Sequence, residues 1–359
     1  MKQRTPLRQR NAATISDVAR EAGVSPMTVS RVINNEANVR ATTRERVSAA
    51  VTRLQYSPNP AARSLAGAQP IRVGLLYSNP SAAYLSEFLV GGLDYASQAN
   101  IQLIVEKCEL GDHELEVARH LIAGGVDGLI LPSPLCDSID LIRTIVEEGI
   151  PSVAVGSGAP SPDLLAVSID EFSAARAMTR HILSLGHRRI GFVIGNPAQG
   201  VSAKRLEGYR AALTEAGIAL EDRLVAQGLF TYRSGIGAAD TLLNVADPPT
   251  AIFASNDDMA AAVVAVAHRR GLDVPGHLTV CGFDDTTLAT ATWPELTTIH
   301  QPIADMARAG VELLVKEVRS RRAGNPGAAE HIQLDFRLVR RESDAVPGQA
   351  TAGKTTSHH

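Results

Sequence analysis

The sequence predicts a small all-α head joined to a larger α/β body of parallel sheets arranged in two lobes. Three observations predict it. Residues 1–67 carry eleven Lys and Arg against four acids, whereas the remainder is acidic, with 24 bases against 34 acids. Helix-start signals and apolar residues at helical spacing fill that basic segment. From about residue 70 onward, short apolar runs alternate with amphipathic stretches, the pattern of parallel strands covered by helices on both faces. Roughly 270 residues is long for one such unit, which argues for two lobes.

The bulk properties agree with a core-forming chain. Its 359 residues leave room for two or three domains. A hydrophobic content of 45% is ordinary for a globular protein. No apolar run reaches the ~18 residues of a membrane span, so no membrane partner is expected. Met1 to Asn11 is basic and polar with no apolar core, unlike a secretory signal, which places the chain in the cytoplasm. Cys108, Cys136 and Cys281 lie far apart with no C-x-x-C and no histidine at metal spacing. They read as small core residues in a reducing compartment, and neither a metal nor a cofactor is implied.

In the head, Thr14 with Asp17 forms a capping box, and Ile15, Val18, Ala19 and Ala22 follow at helical spacing up to Gly23. Ser25 before Pro26 opens a second helix. Val29, Val32 and Ile33 make its inner face; Met27, Ser30, Arg31 and Asn34 make the other. Thr42 with Glu45 is read as another capping box, opening a third helix with Val47, Ala50, Val51 and Leu54 inward. Two short helices across a glycine turn, braced by a third, form a helix-turn-helix. The outer face of the second helix suits a DNA major groove: Arg31 can bond guanine, and Met27 can touch base edges or a thymine methyl. The basic charge of this segment supplies the attraction to a polyanion.

Ser57 to Gly67 follows. Asn59 can cap, Pro60 suits a first helical position and Gly67 a last. A helix of about eight residues is below the ~12–15 that persist alone in water, so it is expected to fold only on a partner. Leu65 has no local core and can act as a wedge in a minor groove.

The body is expected to place strands at 71–77, 101–105, 128–131, 152–155, 190–194, 251–254 and 279–282. Helices are expected near 85–99, 113–124, 138–149, 171–185, 202–216, 234–245 and 257–270. Ligands in such sheets sit beyond the carboxyl ends of the strands. The residues there are polar: Tyr77-Ser78-Asn79, Gly195-Asn196, Ser255-Asn256-Asp257-Asp258 and Phe283-Asp284-Asp285, with Arg205 at the start of a helix. Carboxylates, an amide and a guanidinium in one cleft can pair with vicinal hydroxyls, while Phe230 and Trp293 can cover a sugar ring. Asn256, Asp257 and Asp285 fit equally well as helix caps or turn residues. The tail from 343 to 359 shows no periodicity and is expected to be disordered. The domains so read are 1–57, 58–67, 68–342 and that tail.

Thr14 to Ser25, Thr28 to Asn34, Tyr56-Ser57-Pro58-Asn59 and Arg63-Ser64-Leu65-Ala66 resemble the head, linker and hinge helix of the lactose/galactose repressor family. So do Leu185 to Gly191, Arg205 to Tyr209, Pro249 to Ile252, Ala254 to Asp257, Val280 to Asp285 and Pro294 to Ile299 in the body. The resemblance implies a periplasmic-binding-protein-like body with two lobes and three crossovers. It implies that Pro26, Met27 and Arg31 read bases, with Thr28, Ser30 and Asn34 near phosphates. Thr14, Ser25, Asn59, Arg63 and Ala66 join the DNA-binding set, with Leu65 as the leucine inserted at the centre of a palindromic operator. Effector ligands implied are Arg205, Phe230, Asn256, Asp284, Gln301 and Trp293, with Tyr77 beside them. Gly156 stands where some sugar-binding members carry an aspartate, and the loop from Asn79 to Leu85 departs from the commoner aromatic-rich version.

The expected protein is therefore an effector-controlled transcription regulator, acting as a homodimer because two-fold operators mirror two-fold proteins. The effector is expected to be a sugar, with a purine or other corepressor as the alternative. A soluble sugar receptor on the same body lacks the signal peptide it needs. A nucleotide-dependent enzyme lacks its phosphate-binding fingerprints.

Overall fold

The computed structural model describes residues 13–33, 39–54, 56, 70–109, 111 and 113–348. Asn34, the hinge residues Asn59, Arg63, Leu65 and Ala66, and the tail from 349 lie outside them. The chain divides into two compact units, residues 1–70 and 71–359.

The first unit contains α1 (Ile15–Ala22), α2 (Pro26–Ile33) and α3 (Ala41–Arg53). The Thr14 hydroxyl accepts from Asp17 N, the Asp17 side chain accepts from Thr14 N, and Gly23 closes α1 in the left-handed region at φ 62°. Ser25 Oγ accepts from Thr28 N at 3.1 Å and so caps α2. The capping box expected at Thr42 does not form. α3 starts two residues earlier, with Arg40 in the capping position and no side-chain bond there. Val18, Ala19, Ala22, Val29, Val32, Val47 and Ala50 are buried together in a core that all three helices share. Arg46 extends from α3 to donate to the carbonyls of Ala22 and Gly23, fixing the turn between the first two helices.

The second unit holds two parallel sheets. The first takes β1 (Ile71–Tyr77), β2 (Ile101–Lys107), β3 (Gly128–Pro132), β4 (Ser152–Val155), β5 (Leu165–Ile169) and, from far along the chain, β11 (His331–Leu334). Their order is β11-β5-β4-β3-β1-β2. The second takes β6 (Ile190–Ile194), β7 (Val225–Gln227), β8 (Ala251–Ala254) and β9 (Thr279–Cys281) in the order β7-β6-β8-β9. All neighbours in both sheets are parallel. Helices cover both faces, so the inner strands are buried end to end and are written as unbroken apolar runs, such as Leu-Ile-Leu in β3.

The first lobe carries α4 (Ala82–Ala99), α5 (Glu114–Ala123), α6 (Ile139–Glu147) and α12 (Ile303–Arg322); the second carries α7 (Glu171–Ser184), α8 (Gly200–Glu215), α9 (Tyr232–Leu243), α10 (Asp257–Arg269) and the short α11 (Thr287–Ala291). Gly91 lets α4 and α12 approach so closely that a methyl there would overlap the backbone of Ala304. A two-stranded antiparallel ribbon pairs β10 (Thr298–His300) with β12 (Arg337–Val339). The chain therefore passes between lobes three times, after β5, after β10 and after β11.

The helices expected in the body all form within a few residues of their expected ends; the hinge helix expected from Pro60 lies outside the described residues. β5, β7, β10, β11, β12 and the twenty-residue α12 are additions. The tail also departs from expectation, because residues 343–345 are sewn into the second lobe. Ser343 accepts from Val280 N through its carbonyl and from Thr297 N through its hydroxyl. Asp344 accepts from Thr297 Oγ1 and Arg340 Nε and lies 2.9 Å from His181 Nε2. Ala345 O sits 2.8 Å from His187 Nε2. The three cysteines are free and buried.

Candidate functional site

In the head, α2 turns Val29 and Val32 inward, and Pro26, Met27 and Arg31 outward. Met27 is 65% exposed, unusual for a large apolar side chain on so small a unit. Thr28 and Ser30 are half-buried at the edges of that face. Thr14 is exposed, but its hydroxyl donates to Asp17 Oδ2 at 2.7 Å and is engaged in the cap.

In the body, a small cavity lies between the lobes. The second lobe contributes Arg205, Phe230, Asn256 and Asp284; the first contributes Ser81, Tyr84, Ser133 and Gly156; Gln301 enters from a crossover. Asn256 does two things at once. Its Oδ1 accepts from Met259 N and caps α10, and its Nδ2 donates to Phe230 O at 3.1 Å, which ties the phenyl-bearing loop to the cap. Phe230 at φ 59° and Asp284 at φ 109° are held in a backbone region that L-residues avoid, and such strain collects where a site needs a particular side-chain direction. Asp284 is fixed by Gln301 Nε2, which donates to its Oδ1 at 2.6 Å. Arg205 donates from Nε to Glu171 Oε2 at 2.7 Å, its Nη1 stands 3.6 Å from Asp284 Oδ1, and its guanidinium lies 3.6 Å from the centroid of the Phe283 ring. Gln199 Oε1 accepts from Ser133 Oγ, which leaves Nε2 buried with no protein partner at the cavity wall.

Bonds across the cleft hold it shut. Ser81 Oγ donates to Asp258 Oδ2 at 2.7 Å, Gly200 N to Asp137 Oδ2 at 2.9 Å, and Thr287 N to Glu87 Oε1 at 3.2 Å.

Residues 14–59 match the pattern of bacterial regulatory proteins, lacI family, and residues 179–343 match a periplasmic binding protein-like domain. The chain is 35% identical over 332 residues to catabolite control protein A of Priestia megaterium, covering 92% of this chain and 98% of that one. The chain belongs to the lacI family of bacterial regulatory proteins. Among solved structures, a complex of the transcriptional regulator CelR with cellobiose is 32% identical, with a TM-score of 0.71, covering 92% of this chain and 99% of that one. The lac repressor dimer bound to operator and an anti-inducer is 28% identical, with a TM-score of 0.69, covering 93% and 100%.

As a lacI-family member the protein is a transcription regulator with a helix-turn-helix head and an effector-binding body, and its relatives are regulators rather than enzymes. Of the effector residues expected in this lacI-family chain, the cavity brings together Arg205, Phe230, Asn256, Asp284 and Gln301. It excludes two. Trp293 is 74% exposed beyond α11, its ring 5.8 Å from that of His268. Tyr77 ends β1 in register with Lys107, and it is Asn79, two residues on, that reaches the wall. Asp257 and Asp285 are structural. Asp257 holds Thr286 N and Thr298 Oγ1, and Asp285 pairs with Arg341 and His300. Burial pushes the Asp257 carboxyl up to about 7. Glu171, Gln199, Tyr84 and Ser133 were not anticipated. The absent aspartate has a physical reason as well. Gly156 is at φ 76°, and a side chain added there would meet the Tyr84 hydroxyl. Among the described residues no cluster of His, Cys, Asp and Glu could hold a metal ion, and no helix is long and apolar enough to cross a membrane.

Proposed function

We propose that the protein is a cytoplasmic repressor of carbohydrate-utilisation genes that binds a palindromic operator as a homodimer and a sugar in the cavity between its lobes. The observation that carries the sugar assignment is the cavity wall itself. Arg205, Asn256, Asp284 and Gln301 supply donors and acceptors at fixed angles around one aromatic face, Phe230, which is how a pyranose with alternating hydroxyls is held. The unpartnered Gln199 amide adds a donor waiting for an oxygen. The sugar complex of a relative with the same fold supports the reading. In the head, Pro26, Met27 and Arg31 are assigned to bases and Thr28 and Ser30 to the backbone, with the hinge residues Asn59, Arg63, Leu65 and Ala66 entering the minor groove. A ligand that binds one lobe arrangement better than another shifts operator affinity without touching DNA. The test is operator titration by fluorescence anisotropy with and without each of a panel of sugars, using wild type and Asp284→Ala. One sugar is expected to change operator affinity at least several-fold in wild type and not in the variant. An unchanged response in Asp284→Ala defeats the site assignment.

A further inference from the structure

We propose that the cavity accepts only an uncharged, hydroxyl-rich ligand and rejects its phosphorylated or carboxylated counterparts, with Glu171 setting that choice. The proposal rests on reading this cavity as the effector site. An arginine in a ligand pocket is ordinarily where an anion docks, because its planar fork matches phosphate and carboxylate. Arg205 is the one cation among the described residues lining this cavity, and two of its three guanidinium nitrogens are already engaged. Nε donates to Glu171 Oε2 at 2.7 Å and Nη1 to the carbonyl of Ser255, with Asp284 Oδ1 3.6 Å away and Phe283 beneath the guanidinium plane. The Arg205 and Glu171 side chains are 4% and 3% exposed, so neither can swing out to make room for a competitor. Asp258 adds a third carboxylate just behind the wall, bonded to Ser81 and Asn256.

Against one guanidinium there are thus two acids on the wall and another behind it. Burial raises the Asp284 carboxyl, Arg205 pulls it back only in part, and Asp257, Glu171 and Asp258 raise it further. Acids thus outnumber the guanidinium around the cavity. An incoming phosphate or carboxylate would be desolvated next to like charge, and the one cation it meets is already paired with Glu171. A hydroxyl meets no such barrier: carboxylates accept its proton, and the buried Gln199 amide donates to its oxygen.

Glu171 is the residue to change. Asp284 also anchors Gln301 and a strained loop, whereas Glu171 meets the guanidinium alone in a side-chain bond. Glu171→Gln keeps an oxygen for Arg205 Nε and removes the charge that neutralises it. Calorimetry and thermal shift on the full chain, wild type and Glu171→Gln, would use glucose, galactose, ribose, cellobiose and adenine as uncharged probes. Glucose 6-phosphate, ribose 5-phosphate and galacturonate would be the anions. Wild type is expected to bind every anion at least tenfold more weakly than its uncharged counterpart, and Glu171→Gln to narrow that gap at least tenfold. An anion that binds wild type as tightly as its counterpart overturns the proposal, as does an unchanged gap in a variant with wild-type circular dichroism. Should Glu171→Gln not fold, the wild-type comparison decides alone. Binding of adenine but of no sugar defeats the sugar reading and leaves the charge inference standing. If wild type binds no probe, anion uptake by the folded variant supports the inference and its absence defeats it.

Discussion

Arg205 shows how one side chain can be both structural and functional. It spans Glu171, Ser255 and Asp284 in a space closed to water, so its removal strands buried charge. Breaking a buried pair from one side costs about 3–5 kcal/mol. Arg205→Ala should therefore lower the stability of the body by roughly that amount at pH 7 in urea unfolding. The double change with Glu171→Gln should recover a good part of it, because the stranded acid is gone. Equal losses in the single and double variants would show that packing on Phe283, not charge, is what Arg205 provides. In the head, Arg31 stands outward on a helix whose other face is committed to Val29 and Val32. If it bonds a guanine, Arg31→Ala costs roughly 1–3 kcal/mol per half-site on the operator and much less on random DNA. Parallel weakening on both would make Arg31 a phosphate contact.

The same scale shows where sequence reasoning ran out. Arg205, Asn256 and Asp284 were legible because they follow strands in a sheet whose ligands gather at strand ends. Glu171 was not. An acid in the first turn of a helix is favoured by the helix dipole whatever else it does, and nothing in its neighbours distinguishes a dipole partner from an arginine clamp. Trp293 misled for a related reason: a lone tryptophan after a polar strand end suggests a sugar platform, but α11 and the turn after it carry the ring away from the cleft.

At the scale of elements, β1, β3, β4, β6 and β8 were plain as apolar runs, whereas β5 was missed although it is a buried run of five, and β7, β10 and β12, of three residues each, were too short to show a period. α12 did carry one. Ile303, Met306, Ala307, Val311, Leu314, Val315 and Val318 are all buried along one stripe, so that helix was readable and was passed over. The C-terminal segment was misjudged because its anchoring is polar. His181, His187 and Thr297 hold Asp344 and Ala345 in place of an apolar face. A carbonyl only accepts, so His187 donates from Nε2 to Ala345 O and its Nδ1 faces the Thr250 hydroxyl. Burial lowers the His187 pKa against the pull of Ala345 and Asp344. Its folded value thus lies below the unfolded one, about 6.5. Its contribution to stability is present above about pH 6.5 and is lost as pH falls through the folded value. The stability gap between wild type and His187→Gln in urea should shrink from pH 8 to pH 5.5. A gap constant over that range would remove the imidazole from the account. In the head, Thr14→Ala removes a two-sided cap and should cost about 1 kcal/mol, read from the thermal melt of the helical signal.

At the scale of the whole body, closure is shared between the cavity wall, through Ser81, and the lobes beyond it. The bonds from Glu87 to Thr287 and from Asp137 to Gly200 cross between lobes at residues that do not line the cavity. A hydrogen bond of this kind contributes about 0.5–1.5 kcal/mol net. Glu87→Ala should weaken effector binding roughly two- to tenfold, since a less favoured closed state reduces apparent affinity in proportion. The ligand-free body should become more extended in small-angle scattering. Unchanged affinity and dimensions would mean that this bond forms only as a by-product of a cleft closed by other contacts.

The position of β11 has a consequence for biosynthesis. This strand completes the edge of the first sheet beside β5, and α12 lies against β3, β4 and β5, yet both are made after the whole sheet of the second lobe. A ribosome adding roughly 5–20 residues per second takes on the order of ten to thirty seconds to travel from residue 169 to residue 334. For that interval Leu165–Ile169, apolar and buried in the finished protein, is an open edge able to pair with any passing strand. The second lobe has its whole sheet out by residue 281 and waits only for its C-terminal stitches. A nascent chain stalled at residue 300 should crosslink to a chaperone through the 165–169 edge. One stalled far enough on to release residue 334 should not, and the yield of the regulator would then be decided during translation rather than by the stability of its finished fold.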